Sequence, residues 1–229
     1  MRIIILFLLT LSTLFGAIGE ITALKGEAQL QRSEQLLAVE KGTPIEVKDL
    51  LETQQRSKVQ VILHDETVIT IGPKSSYYFE TYQEGGDTAV MMELKHGFFK
   101  IVTGKIGKIA PERFKVKTQA STIGIRGTQF MASVQKEKEM IACSRGALVV
   151  ETEQTTFELP AGMMLLYESG RWSMQQLDTE HFSPLLTQGA VTQKTPLQKE
   201  AERVPNFAQS YTPLEQQIDK EHFEQSQLP

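Results

Sequence analysis

Between Ile21 and Trp172 apolar residues recur mostly at every second position, in short runs cut by turn residues, and hardly any stretch carries a helical period. That pattern predicts an all-β body. Val59, Val61 and Leu63 alternate with polar neighbours, His64-Asp65-Glu66-Thr67 supplies a turn, and Val68, Ile69 and Ile71 return before Gly72-Pro73, which reads as a hairpin. Further strands are expected in SSYYFETY, in TAVMMELKHG after the QEGGD turn, and in FFKIVTG, FKVKT, STIGIRGTQF, EMIACSRGALVVET, TTFEL and MMLLYESGRW. Many short strands at regular spacing predict a single β-sandwich or β-roll domain.

Two stretches add detail. In LKGEAQLQRSEQLLAVEKG, Gly26 and Gly42 bracket a hairpin; in SRGALVVETEQTTFELPAG, Gly146 and Gly162 stand at the same separation, with Val39 and Leu159 in matching places. The echo predicts two copies of one hairpin unit, with glycines at the corners. In STIGIRGTQF, Ile123 and Ile125 have odd parity, whereas Phe130, Ala132 and Val134 are even. If both sets face the core, one residue must be inserted between them, and Gly127 is the natural place for a bulge. Such a bulge re-aims Arg126. The structural expectation is a clamp on neighbouring carbonyls or a carboxylate; the functional alternative, an anchor for an anionic ligand, uses the same fork of donors.

The two ends of the chain differ from this body. Met1-Arg2 is followed by IIILFLLTLSTLF and the small residues of GAIG, the layout of a secretory signal: a positive charge, a short apolar core and small residues at the cut. Residues 1–19 are assigned to it, with the cut after Gly19 or slightly earlier at Ala17, because the run is shorter than the roughly 20 apolar residues of a spanning helix. The chain is therefore expected in the periplasm or outside, with membrane attachment only if the segment stays uncleaved. Residues 20–174 form the β body. From 175 to 229 strand periodicity stops, Gln becomes frequent and five of the nine prolines occur, so this part is a tail, partly helical or disordered. Ser183-Pro184, Thr195-Pro196 and Thr212-Pro213 each put a cap residue before a first-turn proline. The last of these helices would set Leu214, Ile218 and His222 along one side, a stripe for docking on the body or on a partner.

Composition narrows the function. Hydrophobic residues make up 40% and charged residues 23%, enough for a core, and a net charge of -4 without a dense basic stripe argues against nucleic acid as a partner. The single cysteine, Cys143, forms no intramolecular disulfide and reads as a small buried hydrophobe. His64, His96, His181 and His222 share no metal-ligand spacing with one another or with Cys143, so neither a metal nor a cofactor is expected. GxSxG, HExxH and P-loop motifs are absent from the sequence, and the lysines of GKIGKIAP read as a solvated loop. Asp65, Glu66, Glu80, Glu84 and Asp87 read as turn acids, so no catalytic pair is chosen among them and no enzyme is expected. The densest aromatic cluster is Tyr77, Tyr78, Phe79 and Tyr82. Strand alternation should send about half of it to the core; Tyr77, Tyr78 and Tyr82 are the candidate ligand or partner surface.

PERFKVKTQASTIGIRGTQFMASV resembles the signature of the FecR domain, in which a proline and a strand lead to a threonine, then to a small-apolar run ending in V-R-G-T and an aromatic-led strand. Ile125, Arg126, Gly127 and Thr128 stand at the V-R-G-T place. GTPIEVKDLLETQQRSKVQVILHDETVITIGPKSSYYF is similar to the family's first half. The family's D-G-S turn is Asp65-Glu66-Thr67 here, and because Glu66 tolerates positive φ poorly a different turn type is expected. The resemblance covers Gly19 to Gly170 and implies a periplasmic, all-β FecR-like module. The family's founding members are membrane-spanning regulators that relay an outer-membrane receptor's state to a cytoplasmic sigma factor. Here only Met1 and Arg2 precede the apolar run, so direct sigma-factor contact is not expected. The expected function is a non-enzymatic, exported binding module that docks on an envelope protein or a cell-wall glycan. The alternative is a soluble periplasmic sensor or regulator for a membrane signalling partner.

Overall fold

The period-two pattern is realised as one hydrogen-bonded sheet of 15 strands. The structure, a computed structural model, describes residues 16–85 and 88–177. These lie within one compact unit. Residues 1–15 of the expected signal, the proline caps of the tail, and Leu214, Ile218 and His222 fall outside the described residues. Among those described, no helix is long and apolar enough to cross a membrane.

The strands are β1 (Gly19–Lys25), β2 (Ala28–Arg32), β3 (Gln35–Ala38), β4 (Pro44–Ile45), β5 (Leu50–Thr53), β6 (Lys58–Leu63), β7 (Val68–Ile71) and β8 (Ser76–Gln83). They continue as β9 (Ala89–Val102), β10 (Phe114–Lys117), β11 (Ser121–Gln135), β12 (Lys138–Thr152), β13 (Thr156–Pro160), β14 (Met163–Glu168) and β15 (Arg171–Gln176). The main path runs β15-β14-β12-β11-β10-β9-β7-β6-β1-β4. The hairpin expected at Val59 to Ile71 is β6 and β7, paired antiparallel with Val61 opposite Ile69. β9 and β10 pair in parallel, through a crossover that holds a short helix, α1 (Ile106–Ile109), and a 3-10 turn at Pro111–Arg113. GKIGKIAP is therefore not a plain solvated loop: Ile106 is buried against the core, while Lys108 and Ile109 face out.

Both bracketed hairpins form. β2 pairs β3, β12 pairs β13, and Gly26, Gly42, Gly146 and Gly162 all take positive φ, between 77° and 89°. Val39 and Leu159 are both buried, in one core that also holds Phe79, Phe99, Phe114 and Phe130. Phe99 and Phe130 meet edge to face at 5.5 Å, an arrangement that adds to the roughly 2–3 kcal/mol that burying each ring contributes. Cys143 is fully buried in the same core, as a small hydrophobe. β9, β11, β12 and β14 are covered on their other face as well, by a smaller cluster of Phe98, Met131, Met140, Ala142 and Met164 against which Leu166 and Leu177 pack. This second cluster explains why β11 alternates up to Ile125 and is almost wholly buried after Phe130.

The body extends slightly beyond its expected limits. Ile18 is buried, donates its N–H to Ile45 O at 2.7 Å and accepts from His64 N–H at 2.9 Å. At the other end β15 runs to Gln176.

Candidate functional site

The expected bulge sits in β11 opposite β12. The register breaks between Arg126 and Gln129, Gly127 has φ +59°, and Gly146 across from it has φ +81°. A side chain at Gly146 would place its Cβ 2.5 Å from Gly127 O, so the two glycines interlock and the bulge cannot be smoothed out. The inserted residue restores the parity of the core: Ile123 and Ile125 before it and Phe130, Ala132 and Val134 after it are all buried. Thr128 is held by its backbone, whose N–H bonds Thr103 Oγ1 at 3.0 Å and whose carbonyl accepts from Thr103 N–H at 3.1 Å. Its own hydroxyl is buried without a partner among the described residues.

Among the described residues Arg126 clamps nothing. It is exposed and makes no hydrogen bond or ion pair with any described residue. The bulge turned its side chain outward, to the rim of a groove of about 770 Å³. Gly124, Ile125 and Val149 form the floor on β11 and β12; Lys115 and Glu151 form one rim; Gly107, Lys108, Pro111 and Glu112 form the opposite wall. That wall is fixed from below by the turn between β6 and β7. Asp65, 2% exposed, accepts from Thr67 N–H and Thr67 Oγ1 at 3.0 and 2.8 Å and from Ile106 N–H at 3.2 Å, while its carbonyl accepts from Lys105 N–H at 2.7 Å. Gly104 N–H bonds Thr67 Oγ1 at 2.9 Å.

The turn also corrects an expectation. Glu66 adopts φ +69°, a left-handed conformation that a residue with a Cβ disfavours. Its carboxylate lies 2.7 Å from Lys105 Nζ, and that hydrogen bond, with the nearby charges of Lys105 and Lys108, holds the Glu66 carboxyl below the usual carboxylate range.

The tyrosine surface is corrected too. Tyr77 is fully buried, stacked edge to face on Phe79 and Phe99 at 5.3 and 5.6 Å, with its hydroxyl on Met92 Sδ. Tyr82 is buried as well; its hydroxyl accepts from Asp65 N–H at 2.9 Å and donates to Glu84 at 2.8 Å. A register shift between Phe79 and Thr81 flips the parity of β8, which is how an even-numbered tyrosine joins the odd-numbered inward set. Tyr78 alone keeps a partly exposed ring, with the ammonium groups of Lys48 and Lys95 at 5.9 and 5.5 Å from its centroid.

One constellation was not foreseen. Arg32, at the end of β2, donates from Nε and Nη2 to the two carboxylate oxygens of Asp49 at 2.8 and 2.7 Å, from Nη1 to Glu46 at 2.6 Å and from Nη2 to Pro44 O at 2.8 Å. Asp49 is fully buried. Hydrogen bonding to Asp49 raises the Arg32 pKa further, against the opposing pull of desolvation. This is a fork-on-carboxylate pair that closes the first hairpin on the loop before β5. Among the described residues no group of His, Cys, Asp and Glu could hold a metal ion.

The body is many-stranded and mostly antiparallel, with one parallel crossover and a glycine-locked bulge that carries an outward arginine. Residues 49–149 match the family model described as FecR protein. The matched span starts at the buried Asp49 and ends at Val149 on the floor of the groove. Two crystal structures, each of a "putative anti-sigma factor" from Parabacteroides distasonis ATCC 8503, share the fold. One aligns with TM-score 0.50 and 16% identity over 60% of this chain and 64% of that one, under two thirds of its length. The other aligns with TM-score 0.51 and 16% identity over 67% of this chain and 71% of that one. At this identity the likeness concerns the fold. No curated protein matches the chain.

Proposed function

We propose that the chain is an exported, non-enzymatic regulator of the cell envelope that works by binding a partner protein in the groove beside Arg126. The observation that carries this reading is Arg126 itself: an exposed guanidinium without a partner in the described fold, held at the rim of a concave site by a bulge that two glycines lock. Arg32 is the opposite case, with four of its five N–H donors bonded. The FecR match and the likeness to folds solved as anti-sigma factor candidates support a signalling role, and the partner that fits it is a membrane signalling protein of the envelope. A glycan is the weaker partner, because two of the three tyrosines that would have formed its platform are in the core. Ile109, 75% exposed on the same helical turn as Lys108, adds an exposed apolar side chain next in sequence to the groove wall, of the kind protein partners cover.

Export rests on the N-terminal apolar run, and the packing of Ile18 favours the earlier cut, after Ala17. The intact mass of the secreted chain should begin at Ile18; a chain starting at Glu20 would lack a buried residue of the core. The binding role is tested by placing a photo-crosslinking residue at Ile109 in cells. A single envelope protein should be captured, and Arg126→Ala should remove it while the melting temperature stays unchanged. Capture that survives Arg126→Ala would sink the reading.

A further inference from the structure

We propose that the groove takes an extended segment of the partner protein that carries a carboxylate, with the carboxylate on Arg126 and the segment's backbone laid over Gly124. This rests on the groove being the binding site and names what enters it.

Gly124 carries the argument. An interior glycine weakens a strand, and where one persists it marks a bulge, a bend or a close backbone approach. Gly146 is compelled by its positive φ and by Gly127 O; Gly107 is compelled by Thr103, whose Cβ would lie 2.6 Å from an added methyl. Gly124 is compelled by nothing. A Cβ there would meet Val149 O at 3.6 Å and Val149 Cβ at 4.0 Å, both ordinary contacts, and its φ is not left-handed. Lys115, Gly124 and Val149 stand side by side across β10, β11 and β12. The missing side chain therefore lowers the floor between two flanking residues, which lets another backbone come down onto the sheet.

The charges decide what that backbone brings. Glu151 lies 3.7 Å from Lys115, and Glu112 lies 3.8 Å from Arg113. The acids of the rim thus have cations already, while Arg126 has no acid. Arg126 and Lys108, neither with an ion pair among the described residues, stand beside acids that are already paired, which suits a carboxylate. No aromatic ring lines the groove; Val149 and Pro111 give it an aliphatic character that suits Val, Ile or Thr side chains rather than a sugar face.

The test uses the isotope-labelled mature chain and two short acetylated, amidated peptides of Val and Thr, one with a central Glu and one with Gln in its place. The Glu peptide should shift the amide signals of Gly107, Gly124 and Gly127 and bind about 10-fold more tightly than the Gln peptide. Arg126→Gln should erase that difference. Gly124→Val should abolish binding of both without lowering the melting temperature. Equal binding of the two peptides, or shifts confined to other amides, would overturn the inference, as would a cell-wall disaccharide moving the same three amides when the peptides do not. If the peptides fail while Arg126→Ala and Gly124→Val still remove the crosslinked partner in cells, the occupant is wrong and the binding role stands. If neither variant affects the crosslink, both fall.

Discussion

Arg32 closes β2 and Arg126 precedes the bulge of β11, and the two bring the same guanidinium into opposite settings. Arg32 spends its donors on Asp49, Glu46 and a carbonyl, and its partner Asp49 is shut off from water. Arg126 points out of the fold beside a groove whose acids already have cations. A buried pair of this kind holds a loop in place, because removing either member strands a charge. An exposed, unmatched arginine holds nothing. The contrast separates what makes the hairpin region rigid from what makes the bulge region available.

Arg32→Ala should be the largest single effect, a loss of about 3 kcal/mol, because Asp49 would remain buried without its counter-charge. For a body of this size that lowers the melting temperature by about 10 °C, measured by calorimetry or circular dichroism. Arg32→Met combined with Asp49→Asn should recover part of the loss by removing the stranded charge, and a double-mutant cycle would give the coupling. Arg126→Ala should leave stability within about 0.5 kcal/mol of the parent, since the side chain has no partner in the described fold to lose. Equal destabilisation by Arg32→Ala and Arg126→Ala would dissolve the comparison.

Thr128→Val sharpens it from beside the bulge. The Thr128 hydroxyl is buried and unpartnered among the described residues, while the backbone of that residue is fully held by Thr103. Valine keeps the shape and removes the orphan, so the variant should gain about 1 kcal/mol. A loss instead would mean that the hydroxyl has a partner in solution and that the bulge region is more tightly bonded than it looks.

How much of this was readable beforehand depends on the range of the interactions. The bulge at Gly127 follows from a parity conflict inside ten residues, and the paired hairpins follow from glycines at a fixed separation; both are local and both were legible. The Arg32 clamp was not, because Asp49 lies 17 residues away and comes near only when β2 pairs with β5. Tyr82 was misplaced by a second bulge in β8 that no glycine announced. The direction of Arg126 had no sequence signal: the bulge could be inferred, but which way it turned the side chain depends on Gly146 from the neighbouring strand. Gly124 did have one, a glycine between two inward isoleucines with no turn around it.

The smallest expected effect is at Glu66, on the turn that fixes the groove wall. Glu66→Gly relieves a left-handed backbone that a Cβ disfavours, and removes an exposed ion pair with Lys105 that solvent screens. The two changes oppose each other, so the net shift in melting temperature near neutral pH should be smaller than that of Thr128→Val. Its pH dependence carries the information. The folded-state pKa of Glu66 is depressed, chiefly by the hydrogen bond from Lys105, so its stabilising contribution is present above the ordinary carboxylate pKa and is lost as pH falls through the depressed value. Glu66→Gly lacks that contribution at every pH. The difference between variant and parent should therefore move in the variant's favour on acidification, and added salt should move it the same way. A flat difference would mean that the ion pair contributes nothing and that the groove wall is held by the buried Asp65 alone, which would make the bulge region as firmly anchored from within as the Arg32 hairpin.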